Sequence, residues 1–362
     1  MNKFGIRFAF STFGESHGVG IGCLVDGVPA GLKIDEAYIQ SELDRRKPGQ
    51  NKFATQRKEG DKVEILSGTF EGLSTGTPIA MLIYNTNQKS KDYTNIKDIF
   101  RPGHADFTYW NKYGIRDYRG GGRSSARETA ARVAAGAVAK LMIKELGIEI
   151  QSGIIEIAGI RSETHDFDYV KNSEIYTLDK NVEDAQKEAI LEAKARHDSV
   201  GGAVLVKIKN APIGLGEPLY YKLDAVLADA MMGINAVKAV EIGDGMNSSR
   251  ATGATNNDPI KADKFSSNHS GGILGGISNG EDIDVSVYFK PTPSIFIEQE
   301  TIDTHNVEQH FSLKGRHDPC VAIRGSVVAE SMAALVIADM LLLNMGRKMD
   351  AFKTYYESNT SS

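Results

Sequence analysis

Two segments of the chain share one pattern, and this repeat restricts the possible folds more than any other feature. Residues 19–32 read VGIGCLVDGVPAGL, and residues 200–215 read VGGAVLVKIKNAPIGL. Each segment is an apolar run typical of a buried strand, followed by a Pro-x-Gly-Leu turn and then by a predicted helix. The pattern predicts two internally related halves within one α+β domain. The alternative is that two similar turns arose by chance.

Short connections separate the apolar runs of the chain. Strands are predicted at residues 6–13, 21–25, 63–66, 79–84, 154–160, 203–208 and 283–289. Helices are predicted from Asp35 to Arg46 and at residues 183–196, 223–234 and 329–345. Because many of the strands are close together in sequence, the pattern favours antiparallel pairing over regular βαβ crossovers.

The stretch 118–136, YRGGGRSSARETAARVAAG, is the strongest local signal for a ligand site. Its three consecutive glycines remove side chains, which lets a backbone approach a ligand closely. Ser125 and Glu128 have the spacing of a capping box, so a helix is predicted to start near Ser125. A helix N-terminus presents unpaired N–H groups, and Arg123 and Arg127 add positive charge. The stretch predicts a phosphate site, the alternative being a capped surface helix after a flexible loop.

The balance of charge limits which partners the chain can bind. The 362 residues carry a formal net charge of −5, with 41% hydrophobic and 25% charged residues. This composition is that of a globular protein long enough to bury a sizeable core. Because nucleic-acid binders are basic, no nucleic-acid partner is expected. Local clusters of arginine therefore indicate a particular anionic ligand.

Cysteine usage and hydropathy indicate the compartment. The two cysteines, Cys23 and Cys320, lack the spacing of a metal site and predict a reduced cytoplasm without a disulfide framework. The N-terminus lacks the apolar run and cleavage pattern of a signal peptide. The most apolar late run, residues 333–345, contains Asp339 and is too short to span a bilayer. We expect a cytoplasmic protein with no membrane partner.

Three of the eight histidines occur in unusual local contexts. His17 lies in GESHG, His104 in RPGHAD and His317 in RHDP. A histidine near its free pKa of about 6.5 can act as a general acid or base at neutral pH. The alternative for each is a turn residue without a catalytic role. The other five lie in polar surroundings, and no pair has a metal-ligand spacing, so no metal site is predicted.

Arginines concentrate in the predicted loops. Arginine binds phosphate and carboxylate groups through paired N–H donors. Several converging arginines would hold a dianionic substrate, whereas scattered surface arginines paired with the 47 acidic residues are the alternative. The arginines in question are Arg45, Arg46, Arg57, Arg101, Arg119, Arg123, Arg127, Arg316 and Arg324.

Six blocks of residues, taken in order, resemble the chorismate synthase family. They are GESHG, RPGHAD, GGGRSSARET followed by RVAAG, GGILGGISNG, KPTPS and RHDPC, and the resemblance extends from about Gly5 to Met345. GESHG alone is a weak signal, whereas six blocks in this order are specific. The resemblance implies a lyase that converts 5-enolpyruvylshikimate 3-phosphate to chorismate and inorganic phosphate by an anti-1,4-elimination. This reaction is the last step of the shikimate pathway and requires reduced FMN without net redox change.

The resemblance also implies roles for individual residues. His17 would protonate the reduced flavin near N1, and His104 would protonate or orient the departing phosphate. Asp318, helped by Ser16, would assist proton removal at flavin N5. The substrate phosphate and carboxylates are expected at Arg45, Arg46, Arg127 and Arg316. The FMN site would include Arg123, Ser124, Ser125, Asn235, Ala236, Gly275, Lys290, Pro291, Thr292, Pro293, Ser294 and Arg316.

NADPH is a further cofactor that the resemblance suggests, for flavin reduction. The residues usually assigned to NADP fall on Arg46 and Lys52. Lys52 stands where the family commonly has arginine, so it keeps the charge but loses the paired N–H donors. Pro293 stands where the family commonly has serine, so one backbone donor to the flavin is lost. No reductase-like insertion is visible, which favours an enzyme that receives reduced FMN from outside.

The fold implied by the resemblance is a β-α-α-β sandwich, in which antiparallel sheets enclose helices, assembled as a homotetramer. Residues 1–349 would form a single domain, and residues 350–362 a frayed C-terminal tail. Small residues at 130, 131 and 134–136 would let a central helix pack closely. Two other functions remain open at this point. An ordinary FMN- or NADPH-dependent oxidoreductase would oxidise its substrate, and a phosphate- or RNA-binding protein would show salt-dependent RNA binding.

Overall fold

The computed structural model describes most of the chain. The described residues are 2–49, 51–55, 60–86, 96–262, 264–312 and 317–359. Arg57, Arg316 and much of the polar stretch 85–99 therefore lie outside the described residues.

The first half of the chain forms a five-stranded antiparallel sheet in the order β1-β2-β3-β7-β4. Inside this sheet, Ala9 pairs with Asp26 and Gly20 pairs with Tyr84. The side chains of alternate strand residues are buried, because one face of the sheet packs on helices. The strands of this half are β1 (Lys3–Phe4), β2 (Ala9–Gly14), β3 (Gly20–Asp26), β4 (Val63–Ile65), β5 (Thr69–Phe70), β6 (Leu73–Ser74) and β7 (Ile79–Tyr84).

The second half forms a matching five-stranded antiparallel sheet in the order β11-β16-β10-β8-β9. Gly202 pairs with both Phe289 and Ile157 at one end of its central strand. The antiparallel pairing predicted from the short connections is therefore confirmed in both sheets. The pairs β12-β13, β14-β15 and β17-β18 form separate two-stranded sheets. The strands of this half are β8 (Glu149–Ile157), β9 (Ile160–Arg161), β10 (Gly202–Lys209), β11 (Val237–Ile242), β12 (Ile260–Lys261), β13 (Lys264–Phe265), β14 (Ile273–Leu274), β15 (Ile277–Ser278), β16 (Ile283–Phe289), β17 (Gln299–Ile302) and β18 (Glu308–Phe311).

Helices fill the space between the two sheets. The third helix packs on the first sheet, the seventh packs on the second sheet, and these two helices pack on each other. This arrangement is the β-α-α-β sandwich expected from the sequence. The helices are α1 (Glu36–Arg46), α2 (Asp106–Tyr113), α3 (Thr129–Lys144), α4 (Glu183–Ala195), α5 (Leu223–Met232), α6 (Gly253–Asn256), α7 (Ala322–Asn344) and α8 (Met349–Asn359).

Small residues allow α3 and α7 to approach closely at the centre of the molecule. Ala130, Ala131 and Ala134 are fully buried on α3. A methyl group added at Gly136 would lie 2.5 Å from Cβ of Ser331 on α7, so only glycine fits there. The close helix contact predicted from these small residues is confirmed.

The two Pro-x-Gly-Leu turns have the same hydrogen bonds. In the first turn, the Ser74 hydroxyl accepts from the Leu32 N–H at 2.9 Å and donates to the Pro29 carbonyl at 2.6 Å. In the second, the Ser278 hydroxyl makes the equivalent bonds to Leu215 and Pro212 at the same two distances. Each serine also exchanges backbone bonds with its turn. The predicted relationship between the two halves is therefore confirmed in three dimensions, and chance similarity of the turns is excluded.

Some boundaries differ from those predicted. Residues 126–128 form a 3₁₀ turn, and α3 starts at Thr129, because the Ser125 hydroxyl accepts from Arg127 N and does not complete a capping box. Helix α7 starts at Ala322, seven residues earlier than predicted, and its first turns are covered by the second sheet. The tail predicted to fray from residue 350 is described as helix α8 up to residue 359.

Candidate active site

A cavity of about 1050 Å³ opens at one end of the helix layer. Its wall includes the N-terminal ends of α2, α3 and α7 and the C-terminal end of α5. Helix N-termini carry partial positive charge, which favours anions. The volume is at the upper end of the range for ligand pockets, which leaves room for more than one small molecule.

The cavity wall is positive although the chain is negative. Among the described residues of this wall, nine are Arg or Lys and five are Asp or Glu. Because the whole chain carries −5, this excess is local and indicates an anionic ligand. The basic residues are Arg46, Arg101, Arg116, Arg123, Arg127, Arg132, Lys238, Lys290 and Arg324, and the acidic ones are Glu15, Asp106, Asp117, Glu128 and Asp318.

His104 lies in the cavity wall and is held by Asp106. Its Nδ1 is 3.1 Å from Asp106 Oδ1 and 3.2 Å from Arg101 Nη2. Arg101 also donates to both oxygens of Asp106, and Arg116 places a guanidinium nitrogen 3.0 Å from the same carboxylate. Burial lowers the pKa of His104 below its usual value, and the hydrogen bond to Asp106 only partly opposes this shift. His104 is therefore neutral at pH 7 in the free protein.

His17 lies behind the glycine loop and does not line the cavity directly. It is buried, and its Nδ1 is 3.1 Å from the Ser16 hydroxyl. Its neighbours Glu15 and Gly120 do line the cavity. The described hydrogen-bond partners of Ser16 are His17, Arg119 and Gly122, so Ser16 orients His17 in this structure.

The glycine loop packs against both histidines. Gly120, Gly121 and Gly122 all have positive φ angles, of 61°, 89° and 54°. A Cβ atom at Gly120 would lie 2.2 Å from the His17 ring, and one at Gly121 would lie 2.9 Å from the His104 ring. The sequence predicts that these glycines make room for a ligand, and the structure shows that two of them make room for the histidines.

Arg46 and Arg127 share one buried carboxylate, and these two arginines with Asp61 are called the cavity cluster below. Arg46 Nη1 donates to Asp61 Oδ2 at 2.8 Å, and Arg127 Nη1 donates to Asp61 Oδ1. Arg46 also donates to Thr129 and to the Ala126 carbonyl. Burial lowers the pKa of Arg46 to about 9, so Arg46 remains charged at neutral pH.

Asp318 lies in the same wall, at the start of α7. One of its oxygens accepts from Thr55 N at 3.2 Å, and the other pairs with Arg324. The neighbouring His317 is partly buried, and desolvation lowers its pKa to about 4. Asp318 also faces a second, smaller cavity of about 140 Å³. The described partners of Asp318 do not include Ser16, with which it was expected to act.

Most of the residues expected to bind FMN line the cavity. Ser124, Ser125, Asn235, Ala236, Lys290, Thr292, Pro293 and Ser294 all belong to its wall. Asn235 Oδ1 and Thr292 Oγ1 are buried and have no hydrogen-bond partner within the described parts of the chain. Unsatisfied buried groups are costly, so they indicate a polar ligand at this place. The residues present therefore fit a cofactor with polar ring edges and a phosphate.

Other predicted residues lie elsewhere or are already bonded. Arg123 lines the cavity, but its guanidinium donates to the Gly14 carbonyl and to Thr12. Gly275 is exposed in the turn between β14 and β15 and lies outside the described cavity wall. Pro291, which follows β16, is also exposed and outside that wall. Lys52 lies over the Phe53 ring, also outside that wall. Arg316 lies outside the described residues.

Arg45 points away from the cavity into the helix layer. It pairs with Glu42 and Glu330, and Lys140 pairs with the same two carboxylates. These four residues are called the interior cluster below. The expected role of Arg45 in substrate binding is therefore not supported by its position, since its charge is matched inside the protein.

Sequence reasoning missed Asp61 and did not assign Arg324 a place in the site. Asp61 follows a basic loop and has no motif around it, so no local signal marks it. Arg324 lies in the first turn of α7, which was not predicted to be helical. Arg324 follows Asp318 by six residues, and a side chain in the first turn of a helix can reach back to the loop that precedes the helix. This short spacing is the sequence signal that could have indicated the ion pair.

Comparisons with known proteins show which family the whole chain resembles. The family model described as chorismate synthase matches residues 8–342. The chain is 74% identical to a chorismate synthase of Sulfurimonas denitrificans and 71% identical to one of Aliarcobacter butzleri, in each case over 99% of this chain and all of the relative. A chorismate synthase of Helicobacter hepaticus is 62% identical with the same coverage. A crystal structure of a chorismate synthase has a TM-score of 0.76 and 32% identity, covering 99% of this chain and 98% of that one.

Proposed function

Because this chain belongs to the chorismate synthase family, we propose that it converts 5-enolpyruvylshikimate 3-phosphate to chorismate and inorganic phosphate in the cavity. The family membership makes the protein a carbon–oxygen lyase of the shikimate pathway that acts on a small molecule. The observation that carries the proposed reaction is the excess of positive charge in the cavity wall of an acidic chain. A phosphate leaving group gains negative charge as its C–O bond breaks, and fixed cations stabilise that charge.

His104 would serve the leaving phosphate. Asp106 holds Nδ1 of the imidazole, which leaves Nε2 as the nitrogen available to a ligand. His104 is neutral in the free protein, but a phosphate dianion within reach would raise its pKa by attraction. The protonated ring would then donate from Nδ1 to Asp106 and from Nε2 to the phosphate. Proton transfer of this kind contributes about 100- to 10,000-fold to rates.

Reduced FMN is the cofactor that the proposal requires. When bound, it would supply the transient electron that amino-acid side chains cannot, with no net redox change. Asn235, Thr292 and Ser294 would hold its polar groups, since two of them have unsatisfied buried atoms at the wall. Lys290 would add charge, although its Nζ is bonded to the Gly103 carbonyl in this structure. Pro293 supplies no backbone donor to the cofactor.

His17 and Asp318 would handle the remaining protons. We propose that His17 protonates the flavin, as the family resemblance implies, with its ring oriented by the Ser16 hydroxyl. Arg324 pairs with one oxygen of Asp318 and would hold the carboxylate in a fixed orientation. We propose that Asp318 assists the removal of a proton on the flavin side of the cavity, with Arg324 holding the carboxylate in place.

We further propose that the flavin arrives already reduced and that NADPH has no open site at Arg46 and Lys52. The Arg46 guanidinium donates to Asp61, Thr129 and Ala126. Lys52 lies over an aromatic ring outside the described cavity wall. Arg46 is thus held by Asp61 in the cavity wall, whereas Lys52 lies outside that wall, so the two side chains do not form one shared site for a nucleotide phosphate.

Assembly as a homotetramer and a cytoplasmic location are also proposals. The outer face of the first sheet supports self-association, because Phe13, Leu24 and Tyr84 are each more than 40% exposed there. Both cysteines are free and buried, which is compatible with a reducing compartment. Light scattering of the purified protein gives the oligomeric state, and a monomeric mass would exclude the tetramer.

An anaerobic assay tests the proposed reaction. The protein is mixed with photoreduced FMN and 5-enolpyruvylshikimate 3-phosphate, and both chorismate and phosphate are measured. We expect equal amounts of the two products and no net oxidation of FMN. Phosphate release at full rate without flavin would refute the proposal. Net oxidation of substrate would instead indicate an ordinary oxidoreductase.

A further inference from the structure

We propose that Asp61 is a positioning residue, which holds Arg46 and Arg127 together as one rigid binding unit for the substrate phosphate. This inference rests on the function proposed above and deepens it. Asp61 itself does not line the cavity, whereas both arginines do. It would therefore act through them and not by touching the substrate.

The geometry of the cavity cluster supports this role. Each oxygen of the Asp61 carboxylate accepts from a different guanidinium, Oδ2 from Arg46 and Oδ1 from Arg127. The Asp61 side chain is fully buried, and the two arginine side chains are at most 2% exposed. Because three tightly packed groups share these bonds, neither arginine can rotate without breaking one of them.

The cluster leaves a hydrogen-bond donor for a ligand. Arg127 donates through Nε to Asn85 and through Nη1 to Asp61. Its Nη2 is buried and has no hydrogen-bond partner in the part of the chain that the structure describes. A buried N–H group without a partner is costly, so this atom indicates a site completed by an acceptor from outside the chain.

The net charge of the cavity cluster also indicates an anionic ligand. Two guanidinium groups face one carboxylate, which leaves one positive charge unmatched in a buried place. Attraction to Arg46 and Arg127 outweighs burial and holds the pKa of Asp61 below its usual range, so the carboxylate is ionised at neutral pH. Without this carboxylate, two like charges would repel each other. One phosphate dianion would more than match the remaining charge, and Asp61 keeps the two arginines close enough to share it.

The interior cluster provides a matched control. Glu330 is also a buried carboxylate that bridges two cations, Arg45 and Lys140. None of these three residues belongs to the described cavity wall. Glu330→Gln should therefore destabilise the fold as a buried ion-pair variant does, but it should leave substrate binding unchanged.

Kinetics of Asp61→Asn and Glu330→Gln test the proposal in the holoenzyme with reduced FMN. For Asp61→Asn we expect KM to rise about 10- to 100-fold, the factor for one charged hydrogen bond, with a smaller fall in kcat. Asp61→Glu should recover much of this loss because it keeps the charge, but its KM should remain several-fold above the wild-type value because the added methylene displaces the two guanidinium groups. A wild-type KM for Asp61→Asn, or an equal rise in KM for Glu330→Gln, would overturn the proposal.

Binding of inorganic phosphate separates this inference from the proposed reaction. Phosphate should raise the melting temperature of the wild type and of Glu330→Gln, whereas Asp61→Asn should need at least about tenfold more phosphate for the same rise. This result would support Asp61 even if the wild type showed no turnover. Equal phosphate dependence in all three proteins, or none in the wild type, would contradict it.

If Asp61→Asn does not fold, Asp61→Glu takes its place. The added methylene displaces the two guanidinium groups, so a several-fold higher phosphate requirement than the wild type is expected. A phosphate requirement equal to that of the wild type would then refute the positioning role.

Discussion

Arg45 and Arg46 are neighbours in sequence, yet their guanidinium groups enter two different ionic clusters. Arg45 joins the interior cluster with Glu42, Lys140 and Glu330. Arg46 joins the cavity cluster with Asp61 and Arg127. Successive residues on a helix point about 100° apart, so the Arg45 side chain of α1 points into the helix layer whereas the Arg46 side chain points toward the cavity.

The two clusters differ in their balance of charge. The interior cluster has two acids and two bases, so it is neutral and complete within the protein. The cavity cluster has one acid and two bases, so it has an excess positive charge and a donor without a partner. The uncancelled charge belongs to the cluster in the cavity wall, where we propose that the substrate phosphate binds, whereas the neutral cluster lies outside that wall.

Lys140→Met tests the interior cluster and should have the largest effect. It leaves the two buried carboxylates of Glu42 and Glu330 with Arg45 as their one remaining cation in the cluster, so the free energy of unfolding should fall by about 3–5 kcal/mol. Urea denaturation measures this loss. The KM of the folded variant should equal that of the wild type, and a raised KM would show that the interior cluster takes part in substrate binding.

His104→Ala tests the acid–base group beside the cavity cluster. Turnover should fall about 100- to 10,000-fold because the leaving phosphate loses its proton donor, while circular dichroism remains unchanged. His269→Ala is the matched control, because His269 also pairs with an aspartate, Asp244, at 2.7 Å but lies outside the described cavity wall. Equal turnover in the two variants would remove the assignment of His104.

Arg127→Gln and Arg45→Gln compare one arginine from each cluster. Arg127→Gln should lower kcat/KM about 10- to 100-fold, because a charged hydrogen bond to the phosphate is lost. Arg45→Gln should leave kcat/KM near the wild-type value, since its partners are Glu42 and Glu330. If Arg45→Gln had the larger kinetic effect, the assignment of the two clusters would be reversed.

The titration of His104 gives the smallest of these effects. In the folded protein its pKa lies below 6.5, so the unfolded chain takes up a proton first as pH falls. The stability that the lowered pKa of His104 contributes is therefore present above pH 6.5 and is lost as the pH falls through the pKa of His104 in the folded protein. NMR of the imidazole should show the lowered pKa, and inorganic phosphate should raise it. A pKa that phosphate does not change would contradict a contact between them.

The sequence predicted the positions of central strands and the presence of two related halves, and the reasons can be identified. Strands at 79–84 and 283–289 were located correctly because both are short runs rich in apolar and aromatic residues, and the structure buries every second residue of each. The two Pro-x-Gly-Leu turns revealed the related halves. The serines that fix these turns, Ser74 and Ser278, were not predicted, because they lie more than 40 residues after the prolines they contact.

The site was predicted less completely, because its contacts are long-range. The glycine loop, His104 and Asp318 were found from local motifs, and all three contribute to the cavity wall. Asp61 was missed because its role depends on a contact with Arg127, which is 66 residues away in the sequence. Arg45 was assigned to the substrate because helix periodicity alone does not show which side of α1 faces the cavity. Charge balance within each cluster becomes visible only in three dimensions.

A crystal structure of the protein with FMN and 5-enolpyruvylshikimate 3-phosphate tests the central claim most directly. We expect the substrate phosphate to lie within about 3 Å of Arg127 Nη2 and beside His104, with Arg45 still paired to Glu330. A phosphate bound outside the cavity, or held by Arg45 in place of Arg127, would contradict the account.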